Sequence, residues 1–345
     1  MTILGGLDVH RAQITFDYLD SETGEVCNGQ IRPATRDAVR EWLAARFTGA
    51  AGVKLAVEAC TGWRFVVEEL QRAGIEAHLA EPAETASRRG PKRRAKTDKT
   101  DARLMRNLLI EDRLPESWIA PQLVLETRDL ARLYLSLVTE SSRWKQRIHA
   151  QLYHQGVPAI PALLTQDGCT RLRDAELSPA GRQVVSTALA AVQALDFQIQ
   201  PLRAQLQALG RNLPGPRSLT SHYGIGPLTA VVIWAELGDC RRFRNSDQVV
   251  RLAGIDVTVW ASDRKRSAGR LARQGSPALR WALFEAAKTA ARAASPDHAY
   301  YQATRDRIDA KRATLSVARK LVRRCYHTLR DLGTLAVVTE SLEAA

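Results

Sequence analysis

The N-terminal third of the chain alternates between two apolar periodicities, one typical of strands and one typical of helices. Short apolar stretches bounded by turn residues predict strands at 3–9, 13–19, 26–31, 53–57 and 75–79. Apolar residues that recur at helical spacing predict helices at 35–47, 63–73 and 100–111. The resulting order, βββαβαβ followed by a loop and a helix, is that of an α/β ribonuclease H-like fold, whose functional side chains lie where the central strands end.

The rest of the chain is dominated by helical spacing. Apolar residues over 120–210 predict two long helices, which would suit an antiparallel coiled coil. Further helices are predicted at 228–237 and 278–294, with an extended Gly-, Ser- and Arg-rich loop at 254–277 and a basic helix at 304–332. We therefore predict four regions, at 1–115, 116–210, 211–295 and 296–345.

The charge balance indicates the kind of partner that the protein binds. The 345 residues are 45% hydrophobic and 25% charged, which is ordinary for a globular protein. However, 50 Lys and Arg against 37 Asp and Glu leave a net charge of +13 and a pI near 9.9. Because this positive excess is clustered, it favours a nucleic-acid partner over a merely basic soluble protein.

The cysteines and the N-terminus indicate an ordinary reducing compartment. The five cysteines are scattered and lack the CxxC or Cys/His spacing of a zinc site, so we interpret them as free thiols. The N-terminus lacks the basic and apolar regions of a signal peptide, and the apolar stretches are too short to span a bilayer. We expect a cytoplasmic protein.

Four carboxylates lie at predicted strand ends and at a predicted helix start, where they could form a metal site. Asp8 ends the first predicted strand and Glu58 ends the fourth, and these strands are neighbours in a ribonuclease H-like sheet. Asp98 and Asp101 share one face at a helix start, although capping and the helix dipole alone could explain acids there. Four converging carboxylates would repel without cations between them. We therefore predict that all four bind Mg²⁺ or Mn²⁺ and are catalytic.

Two basic segments accompany these acids. The first, over 87–106, has nine positive charges against two negative ones, and the second, over 254–280, places arginines around serines. Both suit contacts with nucleic-acid phosphates, although a solvated basic loop is the plainer interpretation of either. The predicted contacts are Arg88, Arg89, Lys92, Arg93, Arg94, Lys96, Arg264, Lys265, Arg266, Arg270 and Arg273.

Two features of the C-terminal half are weaker signals. Gly224-Ile225-Gly226 precedes a predicted helix and resembles the hairpin of a helix-hairpin-helix element, although a plain turn would have the same sequence. A serine of the second basic segment could attack a phosphodiester, with arginines stabilising the charge on phosphorus. Composition alone favours a loop that only contacts the nucleic-acid backbone, since no histidine or lysine nearby is an obvious base.

Taken in order, these motifs resemble one family. GLDVH at 6–10, VEAC at 57–60 and KTDKTDA at 96–102 are similar to the DEDD signature of bacterial insertion-sequence transposases, a family that includes the Piv-type DNA invertases. YGIGPLTA at 223–230, LAGI at 252–255 and GSPALR at 275–280 follow that family's second domain. The resemblance covers nearly the whole chain.

The resemblance implies a RuvC-like domain whose four acids correspond to Asp8, Glu58, Asp98 and Asp101. It also implies a nucleophilic serine that links covalently to DNA, which by its position after Gly254 is Ser262. The resemblance further implies a homo-oligomer, a dimer or tetramer, in which one subunit's acids meet another's serine. It implies a guide non-coding RNA that pairs with donor and target DNA.

The sequence departs from the family pattern in two places. Asp263 follows the serine where the family usually has glycine, so Ser267, which precedes Ala268-Gly269, is the competing nucleophile. Ala-Cys-Thr-Gly follows Glu58 where many members have a shorter motif, which leaves the acid itself intact.

We therefore predict a transposase-type site-specific DNA recombinase. In this prediction Ser262 attacks the phosphodiester, while Arg264, Lys265 and Arg266 hold the phosphate. The alternative is a metal-dependent nuclease resembling a Holliday-junction resolvase, which would use water and need no serine. A third hypothesis is a non-catalytic nucleic-acid-binding protein, which would tolerate loss of the acids but not of the basic residues at 87–106.

Overall fold

A computed structural model of the chain describes residues 2–47, 49, 51–89, 97–258, 261–262, 265–266, 269–272 and 274–337. The chain divides into two compact units, Met1–Ile119 and Ala120–Ala345. The finer division of the second unit, at residues 210 and 295, stays a prediction.

A mixed six-stranded sheet forms the centre of the first unit. Its strands are β1 (Ile3–Val9), β2 (Ile14–Asp20), β3 (Val26–Ile31), β4 (Val53–Glu58), β5 (Glu76–Ala80) and β6 (Glu116–Ser117). They lie in the order β3-β2-β1-β4-β5-β6, in which β4 is parallel to both β1 and β5 and the other pairs are antiparallel. The helices are α1 (Arg36–Phe47), α2 (Trp63–Arg72), α3 (Pro82–Ser87) and α4 (Asp98–Ile110). This mixed sheet agrees with the predicted ribonuclease H-like class.

Side chains of the central strands alternate between two buried faces of the sheet. On one face Leu55 and Val57 pack in a large core with apolar residues of α1 and α2. On the other face Ala56 and Ala80 pack against Met105 of α4. Because successive strand residues point to opposite sides, these small side chains let α4 lie close to the sheet.

Three details of the first unit differ from the sequence prediction. The helix α3 occupies part of the stretch predicted as a loop, and Glu81 caps its start. The strand β6 has two residues, which is too short to leave a periodic signal. The helix α4 begins at Asp98 rather than near residue 100, because the Thr97 side chain caps it there.

The second unit is mostly helical. Its helices are α5 (Gln122–His154), α6 (Gln166–Asp174), α7 (Pro179–Asn212), α8 (Pro214–Leu219), α9 (Pro227–Leu237), α10 (Ser246–Leu252), α11 (Pro277–Ala287), α12 (His298–Arg307) and α13 (Ala310–Leu332). Leu152 near the end of α5 shares a core with Val185 near the start of α7, so these two long helices run antiparallel. None of the described helices has both the length and the apolar composition needed to cross a membrane.

The basic stretch predicted as one helix over 304–332 contains a break. The helix α12 ends at Arg307, and the Asp309 carboxylate caps the start of α13 by accepting a hydrogen bond from Arg312 N. The apolar face of α13, which includes Val317 and Leu321, is buried in the second unit. The apolar periodicity of this stretch therefore reflects the buried face of α13, and Asp309 caps this helix after the break.

The segment predicted as an extended loop at 254–277 contains two short antiparallel pairs. In one, β7 (Val257–Thr258) pairs with β10 (Arg270–Leu271). In the other, β8 (Ala261–Ser262) pairs with β9 (Lys265–Arg266). The second pair lies between the strands of the first along the chain. The pair β7–β10 is therefore the stem of a longer hairpin, and we refer to it as the β7–β10 stem.

Candidate metal centre

Two neighbouring strand ends bring the first two predicted acids to the same edge of the sheet. The strands β1 and β4 are parallel, with Leu7 opposite Val57, so Asp8 and Glu58 follow at the same level. Asp8 is buried, with 3% of its side chain exposed, whereas Glu58 is half-buried. Their closeness therefore follows from the register of two parallel strands.

Asp8 lies in surroundings that disfavour its charge. Burial raises the pKa of Asp8 to about 6, and the negative charges of Glu58 and Asp98 act in the same direction. His10 opposes this rise in pKa through its charge and through a hydrogen bond, with His10 Nε2 at 3.2 Å from Asp8 Oδ2. A cation bound beside a buried carboxylate with two acidic neighbours would stabilise its ionised form.

The start of α4 supplies the other two acids. The Thr97 hydroxyl caps the helix by accepting a hydrogen bond from Thr100 N, and Thr97 N donates to Thr100 Oγ1. Asp98 is the first helical residue, and its Oδ2 accepts a hydrogen bond from Gln13 Nε2 at 3.2 Å. Because Thr97 makes the cap, capping does not account for Asp98, whose carboxylate contacts the segment between β1 and β2.

Within the described part of the chain, one set of side-chain atoms is close enough to share an ion. Ligand atoms of Asp8, His10 and Asp98 lie within 4.8 Å of one another. His10 Nε2 is 3.4 Å from Asp98 Oδ1 as well as close to Asp8, so the imidazole lies between the two carboxylates. His10 was not among the candidate ligands predicted from the sequence. Its position in the sequence could have indicated this role, because His10 follows Asp8 by two residues and side chains two residues apart on an extended chain lie on the same face.

Glu58 and Asp101 lie outside this close set of atoms. Asp101 is buried at the first turn of α4, and its Oδ2 forms an ion pair with Arg89 Nη2 at 2.9 Å. Arg89 was predicted to contact nucleic acid, but in this structure it neutralises one of the predicted metal ligands. A cation that used Asp101 would therefore compete with Arg89.

Two contacts hold α4 against the sheet. Gly6 of β1 faces the backbone of α4, where an added Cβ would lie 2.2 Å from Ala102 O. Asp17 of β2 is fully buried and forms an ion pair with Arg106 of α4. A side chain at position 6 would push the helix away, and an unpaired Asp17 would be costly to bury. These contacts therefore set the position of Asp98 relative to Asp8.

The glycine-rich turn lies between α8 and α9. Gly224 has a φ of +91°, and an added Cβ there would lie 2.2 Å from Thr289 Oγ1. Gly226 is the N-cap of α9. The helix-hairpin-helix-like interpretation of the helices on either side of this turn, and its role in nucleic-acid binding, both stay predictions.

The other predicted nucleic-acid contacts are described only in part. Arg88 is exposed at the end of α3. The backbones of Ser262, Lys265, Arg266 and Arg270 lie in β8, β9 and β10. Outside the described residues lie Lys92, Arg93, Arg94, Lys96, Arg264, Ser267 and Arg273. The roles of all these residues stay predictions.

Comparison with known families matches both halves of the chain to one group of transposases. Residues 5–155 match a family model described as a transposase, of the IS110 type with a DEDD domain. Residues 217–302 match the model of the IS116/IS110/IS902 transposase family. Over both ranges the chain is therefore similar to transposases of the IS110/IS116 group. The first match contains all four predicted acids, and the second contains the β7–β10 stem and Ser262.

Three relatives among curated proteins have names from the same group. A Sinorhizobium fredii protein, provisionally named a transposase, is 30% identical over 243 residues, which are 63% of this chain and 60% of that protein. A Streptomyces coelicolor protein of insertion element IS110 is 29% identical over 149 residues, 43% of this chain and 37% of its own length. A Pseudomonas aeruginosa protein, provisionally named a family 20 transposase, is 29% identical over 101 residues, 29% of this chain and 30% of its own length. Each match thus spans less than two thirds of the relative.

The residues present at this edge of the sheet fit a divalent cation. Carboxylate oxygens from Asp8 and Asp98, with Glu58 close by, are the donors that Mg²⁺ and Mn²⁺ prefer. The imidazole of His10 is a donor that transition metals accept more readily than Mg²⁺ does. The DEDD-type match and the Asp-His-Asp cluster together indicate a divalent-metal centre.

Proposed function

We propose that the protein is a transposase that cleaves and rejoins DNA, with Mg²⁺ or Mn²⁺ held by Asp8, Glu58, Asp98 and Asp101. The observation that carries this proposal is that ligand atoms of Asp8 and Asp98 lie within 4.8 Å in a region that matches the DEDD-type transposases. A buried acid such as Asp8, whose pKa is raised by burial and by acidic neighbours, is typical of functional sites.

Each residue of the centre has a separate task in this proposal. When bound, the cation supplies Lewis-acid stabilisation of the negative charge that builds on a phosphodiester. Asp8 and Asp98 hold the cation, while the Gln13 amide orients the Asp98 carboxylate. Glu58 adds negative charge at the same edge of the sheet. Asp101 becomes available when its ion pair with Arg89 opens.

Ser262 is the proposed nucleophile. Its Oγ forms a bond to phosphorus, the bond from phosphorus to a deoxyribose oxygen breaks, and the serine proton passes to that oxygen. A hydroxyl of a second DNA end then attacks the same phosphorus, the serine–phosphorus bond breaks, and a proton returns to the serine. Arg264, Lys265 and Arg266 stabilise the phosphate charge in both steps. Ser267 is the competing nucleophile.

The proposed partners are donor and target DNA, a guide non-coding RNA and further copies of the chain. The net charge of +13 and the nine positive charges over 87–106 support nucleic-acid partners. If sequence recognition is delegated to RNA pairing, the protein needs contacts to backbones rather than to base edges.

Covalent capture tests the proposed nucleophile. The purified protein is incubated with Mg²⁺, labelled donor and target DNA and the non-coding RNA encoded beside its gene, then denatured and examined for label that migrates with protein. We expect an adduct that Ser262→Ala abolishes and Ser267→Ala retains. The reverse pattern would assign the nucleophile to Ser267. Cleaved DNA without an adduct in any variant would favour the resolvase-like nuclease, in which water attacks.

Variants of the acids test the metal centre independently of the serine. Asp8→Asn and Asp98→Asn should each abolish strand cleavage and weaken Mn²⁺ binding measured by calorimetry, whereas Ser262→Ala should leave Mn²⁺ binding unchanged. Strand exchange that survives both acid substitutions would contradict the proposed centre. The non-catalytic hypothesis would be favoured by two results together. The wild-type protein would not cleave DNA, and only substitution of the basic residues at 87–106 would abolish nucleic-acid binding.

A further inference from the structure

A pocket of about 770 Å³ lies between the β7–β10 stem and the helices α12 and α13. Val257 and Leu271 of the stem and Leu315 of α13 form an apolar side of this pocket. Its volume lies within the range of sites that hold small organic molecules. The pocket therefore has the room and the apolar surface to take a flat, uncharged group such as a nucleobase.

Three arginines line the same pocket from the two helices. Arg307 ends α12, whereas Arg312 and Arg319 are seven residues apart on one face of α13. Arg312 has 73% of its side chain exposed and pairs with Asp309, whose Oδ2 lies 3.3 Å from Arg312 Nε. This acid and Asp256, which acts electrostatically on Arg319, offset only part of the positive charge. Guanidinium groups beside an apolar wall suit a phosphate attached to a nucleobase.

Arg319 ties the pocket to the start of the stem. Its Nε donates a hydrogen bond to Ile255 O at 2.6 Å, two residues before β7 begins. Ser262 follows Thr258 at the end of β7 by four residues, so the two Cα atoms are at most about 14 Å apart in a fully extended chain. This upper limit is the length of about four nucleotides at the ~3.4 Å axial rise of one DNA strand.

We propose that this pocket holds single-stranded DNA beside the hairpin that carries Ser262. Arg307 and Arg312 contact backbone phosphates, Arg319 fixes the stem, and an unstacked base packs against Val257 and Leu271. A duplex keeps its bases stacked inside the helix, so only an unpaired nucleotide could use the apolar side. The proposal rests on the proposed function in taking Ser262 as the residue that attacks this strand.

The test compares binding of a short fluorescein-labelled single-stranded DNA to Ser262→Ala protein with and without Arg307→Ala and Arg312→Ala. Anisotropy titrations are run over a series of salt concentrations without added metal, so that no chemistry occurs. Removal of two phosphate contacts from a single-stranded site should reduce the slope of log K against log salt by about 1.4. Arg305→Ala is the matched control, because Arg305 lies on α12, pairs with Asp306 at 3.1 Å and does not line the pocket.

We expect the double variant to lose affinity for single-stranded DNA while Arg305→Ala keeps both the affinity and the salt slope of its parent. Both arginines are exposed, so unchanged melting temperatures should accompany this loss. An unchanged salt slope in the double variant would overturn the proposal. An equal loss for a duplex of the same sequence, or a loss confined to RNA of that sequence, would also overturn it.

The same variants separate this proposal from the proposed function. With Ser262 present, normal binding but no adduct in wild type would contradict the serine mechanism and leave the pocket assignment intact. An adduct that forms equally well in wild type and in Arg307→Ala/Arg312→Ala protein would contradict the pocket assignment and leave the serine mechanism intact.

Discussion

Replacing Gly6 by alanine tests whether the close approach of α4 to β1 positions the metal ligands. The added Cβ would lie 2.2 Å from Ala102 O and 2.9 Å from both Arg106 N and Met105 Cβ. Ordinary contacts of such an atom begin near 3.4 Å, so the helix and strand would have to separate by roughly 1 Å. Two of the three atoms belong to the backbone of α4, and side-chain rotation therefore cannot relieve the clash.

The expected effect has a stability part and a binding part. Overpacking of this kind lowers the free energy of unfolding by about 1–3 kcal/mol, which urea unfolding of the metal-free protein would measure. Because α4 carries Asp98, its displacement should also weaken Mn²⁺ binding by about 10- to 100-fold, as when groups that orient metal ligands are lost. Calorimetric titration with Mn²⁺ measures this second part.

Gly226→Ala is the control for this experiment, since an added Cβ there would have no heavy atom within 4 Å. As the substitution changes an N-cap, it should cost at most about 1 kcal/mol and leave Mn²⁺ affinity unchanged. Wild-type stability and wild-type Mn²⁺ affinity in Gly6→Ala protein would refute the argument. Reduced stability with unchanged Mn²⁺ affinity would mean that Gly6 contributes to packing but does not position the metal ligands.

Two further substitutions test charges elsewhere in the structure. Arg89→Gln should tighten Mn²⁺ binding by about tenfold, or ~1.4 kcal/mol, because it removes the competitor for Asp101, and calorimetry showing unchanged affinity would argue against Asp101 as a ligand. Hydrogen bonds from Arg324 at 2.6 and 2.8 Å hold the pKa of Asp297 below its usual value, so Asp297→Asn should lower the free energy of unfolding by about 2 kcal/mol at pH 7. This loss should shrink as pH falls below about 3.9, because a carboxyl with a lowered pKa stabilises the folded state only while ionised. Exposed Asp247 is the control, and Asp247→Asn should cost less than about 1 kcal/mol in the same denaturation series.

The strands and helices of the first unit could be predicted from the sequence because their apolar residues are buried. Leu55, Ala56 and Val57 are each less than 2% exposed, so the centre of β4 appears in the sequence as a short apolar run. The helix α3 and the strand β6 could not be predicted, since they are too short to establish a period. The break before α13 is marked in the sequence by the capping residue Asp309, and a single capping residue within a periodic stretch is a weak signal.

The candidate site was predictable where it depends on strand order and on the spacing of Asp98 and Asp101 at a helix start. Asp8 and Glu58 end neighbouring strands, and strand order brings them together. The contacts that complete the site join distant segments, such as Gln13 with Asp98, and these leave no periodic trace. The positive charges in the sequence also did not identify their partners. An arginine such as Arg89 looks the same in the sequence whether it contacts a phosphate or a carboxylate.

The two acids of the close cluster come from opposite ends of the first unit's sequence, which links metal affinity to folding. Asp8 lies on the first strand and Asp98 on the last helix of this unit, so the site is absent until α4 has docked. An ion that binds only the folded state would add about 2.7 kcal/mol to stability at a free concentration 100 times its dissociation constant. Refolding in the presence of Mn²⁺ would therefore stabilise the unit once α4 has docked on the sheet, and metal uptake at this cluster would begin only after that contact has formed.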